Sequence, residues 1–137
     1  MQIVMIDGQG GRMGKTMIEQ LRAAQVEAEI WAVGTNSIAT AAMVKAGADY
    51  GSTGENPVVV AAKQADIIVG PIGIVIADAL WGEITPAMAV AVGQSRAEKV
   101  LLPVNKCNNH VVTTTSAGTG EILASAVSYI LQYCQTN

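Results

Sequence analysis

The sequence predicts an α/β fold: a Rossmann-like, doubly wound, mainly parallel sheet flanked by helices, as one domain over residues 1–137. Three observations carry this. Apolar runs of strand length alternate with runs of helical periodicity along the whole chain. The first run, "QIVMID" (2–7), has no polar face, as a strand covered on both sides requires. It opens directly into "GQGGRMGK", where Gly8, Gly10, Gly11 and Gly14 concentrate flexible backbone between a strand and a helix.

The elements come in order. After the glycines, Met13, Met17, Leu21 and Ala24 form one apolar stripe, with Glu19, Gln20 and Arg22 on the wet side. "AEIWAVG" (28–34) is a second strand, and "SIATAAMVKAG" (37–47) a second helix, with Ser37 as N-cap and Gly47 as C-cap. A short third strand is expected near Ala48–Tyr50. Asn56-Pro57 reads as an N-cap and first helical residue, opening a helix to about Gln64. "DIIVG" (66–70) is the fourth strand. Thr85-Pro86 opens a helix, "AMAVAVG", that is apolar almost all round and so calls for cover on both sides, the second from a partner chain. "KVLLPVN" (99–105) and "HVVTTTS" (110–116) are a fifth and a sixth strand. A helix from Thr119 to Cys134 closes the chain, with Ile122, Val127, Ile130 and Leu131 inward.

Composition narrows the function. Charged residues make up 14% of the chain, too few to coat a monomer, which points to a homo-oligomer. A net charge of −3 without a basic block excludes a nucleic-acid surface. The longest apolar run, Ile67 to Ala77, is too short to cross a bilayer. The start lacks a positive, cleavable leader, and Cys107 and Cys134 form no CxxC, so a cytoplasmic, reduced setting is expected. No metal-ligand spacing is present.

The spacing Gly8-x-x-Gly11-x-x-Gly14 fits a turn that reverses tightly and lets a phosphate approach the main chain. The helix after it offers unpaired N–H groups to that phosphate. Arg12 and Lys15 add positive charge. "GPIG" (70–73) comes directly after the fourth strand. In a sheet of order 3-2-1-4-5-6, strands one and four are neighbours at the switch point, so both glycine loops would line one crevice. The expected cofactor-binding set is therefore Gly8, Gln9, Gly10, Gly11, Arg12, Met13, Gly14 and Lys15, with Gly70, Pro71, Ile72 and Gly73 opposite. Thr35, Asn36 and Ser37 stand after the second strand, where a carboxylate would select an unphosphorylated ribose; their neutral donors favour NADP over NAD. A P-loop is disfavoured, because Gly8 stands one residue too early for "GKT" (14–16) and no strand after the loop ends in a magnesium-holding Asp.

"GQGGRMGK" resembles the nucleotide loop of dihydrodipicolinate reductase, a nicotinamide-dependent enzyme. That likeness implies that Gly8, Gly11, Arg12, Met13 and Gly14 face the pyrophosphate and its ribose. The reductase's substrate domain has no counterpart here. Over nearly the whole chain, "IDGQGG", "GTNSIATAAMVKAGAD", "TGEN", "DIIVGPIGIV", "GEITPAMA" and "LLPVNKCN" resemble a family of small uncharacterised bacterial proteins with a Rossmann-like fold. That resemblance implies the fold and the single-domain layout, and no activity.

Polar segments interrupt the apolar chain at "GEN" (54–56), "GEIT" (82–85) and "NKCNNH" (105–110). They supply the candidate catalytic residues Lys106, Cys107 and Glu83, with Asn105 able to orient a carbonyl. Glu55 and Glu83 also suit the capping of helices or loop amides. His110, with no evident partner carboxylate, reads as structural. Trp81 suits either core or a dimer seam. The functional expectation is a dinucleotide-binding protein, either an oxidoreductase acting as a homodimer or a non-catalytic nucleotide sensor. A small ATP- or GTP-binding protein is the third reading.

Overall fold

A computed structural model of the chain describes residues 1–104, 108–112 and 116–137. Five strands, β1 (Gln2–Asp7), β2 (Glu29–Gly34), β3 (Tyr50–Thr53), β4 (Ile67–Pro71) and β5 (Glu98–Leu102), form one parallel sheet of order 3-2-1-4-5. Helices α1 (Arg12–Ala23), α2 (Ser37–Lys45), α3 (Glu55–Gln64), α4 (Pro86–Gln94) and α5 (Thr119–Thr136) cover it, with a short 3-10 turn at Ile72–Val75.

The period-two alternation of β1 divides the core. Ile3 and Met5 face α1, α2 and α5 through Met17, Leu21, Met43, Val127 and Ile130. Val4 and Ile6 face α3 and α4 through Val58, Ala61, Met88 and Val92. All four β1 side chains are fully buried, so this strand is the centre of the molecule. Each such side chain contributes roughly 1.5–3 kcal/mol of burial. Because β1 pairs with β2 on one side and β4 on the other, the winding reverses at its C-terminal end, where the glycine turn stands.

Several expected details move. The cap of α2 is Asn36, whose side chain accepts the Ala39 N–H, and not Ser37. Gly47, at φ 120°, turns the chain one residue beyond the Ala46 cap. Gly54, not Asn56, precedes α3, so Pro57 falls inside its first turn. β3 begins at Tyr50, where the expectation ended, because residues 48–49 lead into it; Asp49 N–H bonds the Ile30 carbonyl. β5 stops at Leu102, ahead of Pro103, which has no N–H for a ladder. The expected sixth strand is absent from residues 110–112 and 116, and residues 113–115 lie outside the described residues. On α5 the buried face is Leu123, Ala126, Val127 and Ile130, while Ile122 and Leu131 are half-buried beside it. Ala24 is exposed, and Ile18 takes its place in the α1 stripe.

Thr85 caps α4 as expected, accepting from Met88 N–H at 3.2 Å. One face of α4 packs on the fold through Met88, Ala89 and Val92; Val90 stays exposed. No helix among the described residues is long and apolar enough to cross a membrane.

One polar clamp ties α1 to the far edge of the sheet. Arg22 donates to the Gly47 carbonyl (2.9 Å), the Ala28 carbonyl (3.2 Å) and Asp49 Oδ2 (2.6 Å). The same Asp49 oxygen accepts Ile30 N–H at 2.7 Å. That backbone bond, reinforced by Arg22, holds the Asp49 carboxyl below the usual aspartate range. A lowered folded-state value means that the clamp's stability is present above the unfolded aspartate value and is lost as pH falls through the folded one. D49N should lower Tm at neutral pH by about 2–4 °C, of order 1 kcal/mol after allowing for the pair's exposure. The difference from wild type should shrink in thermal melts taken toward about pH 3.

Candidate functional site

β1 ends at Asp7, and the chain then reverses into α1. Asp7 is 4% exposed. Its Oδ1 accepts the Gly8 N–H at 2.8 Å and its Oδ2 the Gly14 N–H at 2.8 Å. Burial pushes the Asp7 carboxyl above the usual range and the charge of Glu83 adds to that, against the opposing pull of the Gly14 and Gly8 amides. Gly11 N–H closes the turn on the Gly8 carbonyl at 2.9 Å. Gly11 itself is the N-cap of α1, at φ 70°. A Cβ there would meet the Ala39 backbone at 2.7 Å, so both the angle and the close approach of α2 require glycine.

A second carboxylate reaches the turn from the loop before α4. Glu83 Oε1 accepts the Gln9 N–H (3.0 Å), the Thr35 hydroxyl (2.7 Å) and the Asn36 side-chain N–H (2.6 Å). Desolvation raises the Glu83 carboxyl, but its hydrogen bonds from Thr35, Asn36 and Gln9 outweigh it, and the group lies below the usual glutamate range. Asn36 Nδ2 also donates to the Gln9 carbonyl at 2.9 Å. Turn, β2–α2 junction and the loop ahead of α4 are thus tied at one carboxylate.

The opposite side of the turn is open. A crevice of about 540 Å³ is lined by Asp7 and residues 8–13, with Thr16, and by Val104, Thr119 and Leu123 across from them. The first turns of α1 and α5 both border it, and α5 has no side-chain cap at Gly118. The Gly10 N–H and the Arg12 guanidinium have no partner among the described residues. The site is therefore a donor-lined notch that carries the Arg12 guanidinium and the amide-bonded Asp7 carboxyl, with an apolar far wall.

The sequence matches, over residues 2–135, a family described as a domain of unknown function, DUF3842. The chain belongs to this family. Among curated proteins nothing matches. Among solved structures, the dodecameric FMN-dependent UbiX-like decarboxylase from Escherichia coli O157:H7 is similar in fold. Its TM-score is 0.45 at 14% identity, covering 96% of this chain and 92% of that one.

The cofactor expectation is corrected. That neighbour is described as FMN-dependent, where the sequence pointed to NADP or NAD. The geometry of the DUF3842 chain supplies a physical reason. Thr35 and Asn36, expected to take the ribose or its 2′-phosphate, are bonded to Glu83, and a phosphate there would meet a carboxylate.

The other expected site residues divide. Gly8, Gln9, Gly10, Gly11, Arg12 and Met13 line the crevice. Gly14 is buried under Met43 and holds Asp7. Lys15 is not a lining residue; its ammonium lies 3.9 Å from Glu19 on the helix surface. Ser37 is exposed and absent from the crevice. Gly70, Pro71, Ile72 and Gly73 are not among its lining residues. Packing alone is enough to require glycine at position 70, since a side chain there would strike the Ile6 carbonyl and Ile74. Lys106, Cys107 and Asn105 lie outside the described residues. His110 is exposed. Glu55 accepts the Thr85 hydroxyl at 2.7 Å, a contact between α3 and the cap of α4. Trp81 is 95% exposed and belongs to no core.

Val104, Thr119 and Leu123 had no sequence signal as site residues, since nothing local marks the far wall of a crevice. The retrievable signal was topological: β5 lies beside β4, so the chain leaving β5 must return near the switch point.

The glycines of the turn are unequal. G11A should cost about 3 kcal/mol, from the left-handed angle and overpacking against α2. A Cβ at Gly10 meets nothing within 4 Å, so G10A should stay within about 0.5 kcal/mol of wild type in denaturant titrations.

Proposed function

We propose that this DUF3842 chain binds a phosphate-bearing small molecule, of the nucleotide class, in the crevice between the glycine turn and the start of α5. The observation that carries the reading is Arg12. It lines the crevice, and no described residue neutralises it. Beside it are the Gly10 amide, without a partner among the described residues, and the first turns of two helices. A dianionic phosphate satisfies all of these at once through charge-assisted hydrogen bonds. The apolar wall of Val104 and Leu123 suits the remainder of such a ligand.

Binding without turnover is the favoured form of this reading. Asp7 is the one carboxyl among the described lining residues, and both its oxygens already hold backbone amides. It is a poor general base in that state. The exposed Val90 on α4, beside Ala91 and Val59 in a shallow groove of about 510 Å³, supports a homo-oligomer, which sedimentation velocity at micromolar concentration tests.

Calorimetric titration with inorganic phosphate, AMP and FMN should show at least one phosphate-bearing ligand binding. R12A should weaken it roughly 10–100-fold, the worth of a charge-assisted phosphate contact, with Tm unchanged. No binding by any of them, or an affinity indifferent to Arg12, overturns the proposal.

A further inference from the structure

The donors around Glu83 form an anion site of their own. Gln9 N–H, Thr35 hydroxyl and Asn36 N–H come from two separate segments and converge on one oxygen, Oε1. Gln9 N–H reaches the second oxygen as well, at 3.2 Å. No lysine or arginine among the described residues pairs with this carboxylate. Neutral main-chain and side-chain donors converging on a single oxygen are the arrangement that binds a phosphate oxygen. Here the chain supplies the anion itself.

The loop that delivers Glu83 is costly in backbone. Asp78 (φ 65°), Leu80 (56°) and Trp81 (57°) are non-glycine residues in the left-handed region, and Gly82 comes next at 86°. Each such non-glycine residue costs roughly 1–2 kcal/mol. Leu80 is buried beneath the loop while Trp81 stands in solvent. The carboxylate also sits against the back of the turn, with Oε1 3.3 Å from where a Cβ on Gly8 would stand. Its donor Gln9 lines the crevice on the other side. Two anion positions therefore flank the same short stretch of main chain, one open at Gly10–Arg12 and one filled.

We infer that Glu83 is a specificity-determining residue: it occupies the second anion position of the glycine turn and restricts the ligand to one phosphate group. This rests on the reading of the crevice as a phosphate site and names the ligand class more narrowly. A diphosphate seated at Arg12 would bring its second phosphate against Gln9, whose N–H is already held by Glu83 from behind the turn, so that amide cannot take it and the carboxylate's charge repels it across the main chain. A monophosphate at Arg12 does not need the Gln9 amide and stays clear of Glu83; Asp7, the carboxyl that lines the crevice, is turned to the Gly8 and Gly14 amides.

The test compares inorganic phosphate with inorganic pyrophosphate, titrated calorimetrically into wild type, E83A and E83Q. Glu83→Ala empties the position; Glu83→Gln keeps an acceptor without the charge, and decides the matter if E83A fails to fold. Wild type should bind phosphate about tenfold or more tightly than pyrophosphate. The variants should gain about tenfold or more for pyrophosphate while phosphate stays within about twofold. A merely structural Glu83 would lower Tm and leave that ratio where it was. Folded variants with the wild-type ratio overturn the inference and leave the crevice reading intact. A variant that binds pyrophosphate where wild type binds neither anion removes the crevice reading and the inference with it. Variants that bind neither anion overturn the inference.

Discussion

Peptide N–H groups at the end of β1 must find acceptors, and the way they do so fixes the rest of the molecule. A strand that turns straight into a helix leaves a set of amides with no partner in either element. Here one buried carboxylate, Asp7, gathers the amides of Gly8 and Gly14, and a second, Glu83, takes that of Gln9. Asp7 anchors the start of α1 to the strand from which it departs. Glu83 pulls the β2–α2 junction and the loop ahead of α4 onto the same turn. The switch point of the sheet is thereby rigid on one side and open on the other.

That asymmetry changes what a glycine turn implies. Glycine spacing alone suggests that amides at such a turn wait for a ligand's diphosphate. Those of Gly8, Gln9 and Gly14 are already satisfied by the protein's own side chains, while the Gly10 amide and the Arg12 guanidinium, without a partner among the described residues, face a single notch. Glu83 holds the Gln9 amide from behind the turn and so removes one of the donors that a run of phosphates would need. Selectivity then comes from what is excluded as much as from what is held.

The fold was legible because its signals are local and repeated. Two-sided apolar strands, the α1 stripe at Met17 and Leu21, and the Thr85-Pro86 start of α4 each arise from periodicity or capping chemistry. Sheet order 3-2-1-4-5 came from the alternation of those elements. The site was legible only in its first half. Gly8–Met13 announce themselves by spacing. Nothing near Glu83 in sequence reveals that it will cross 74 residues to bond Gln9. Gly70 carries a second constraint that spacing does not show, since a Cβ there would strike the Ile6 carbonyl and Ile74. Long-range side-chain contacts and close backbone approach are properties of the packed molecule, and spacing does not encode them.

The central claim is that the open side of the turn grips phosphate. An amide NMR titration of the ¹⁵N-labelled protein with AMP or FMN addresses it most directly. The largest saturable shifts should fall at the Gly10 and Arg12 amides, spreading to Thr119 across the crevice, while Gln9, held by Glu83, moves little. Saturable shifts centred on Gln9, Thr35 and Asn36 instead, or none at the turn at all, would contradict it.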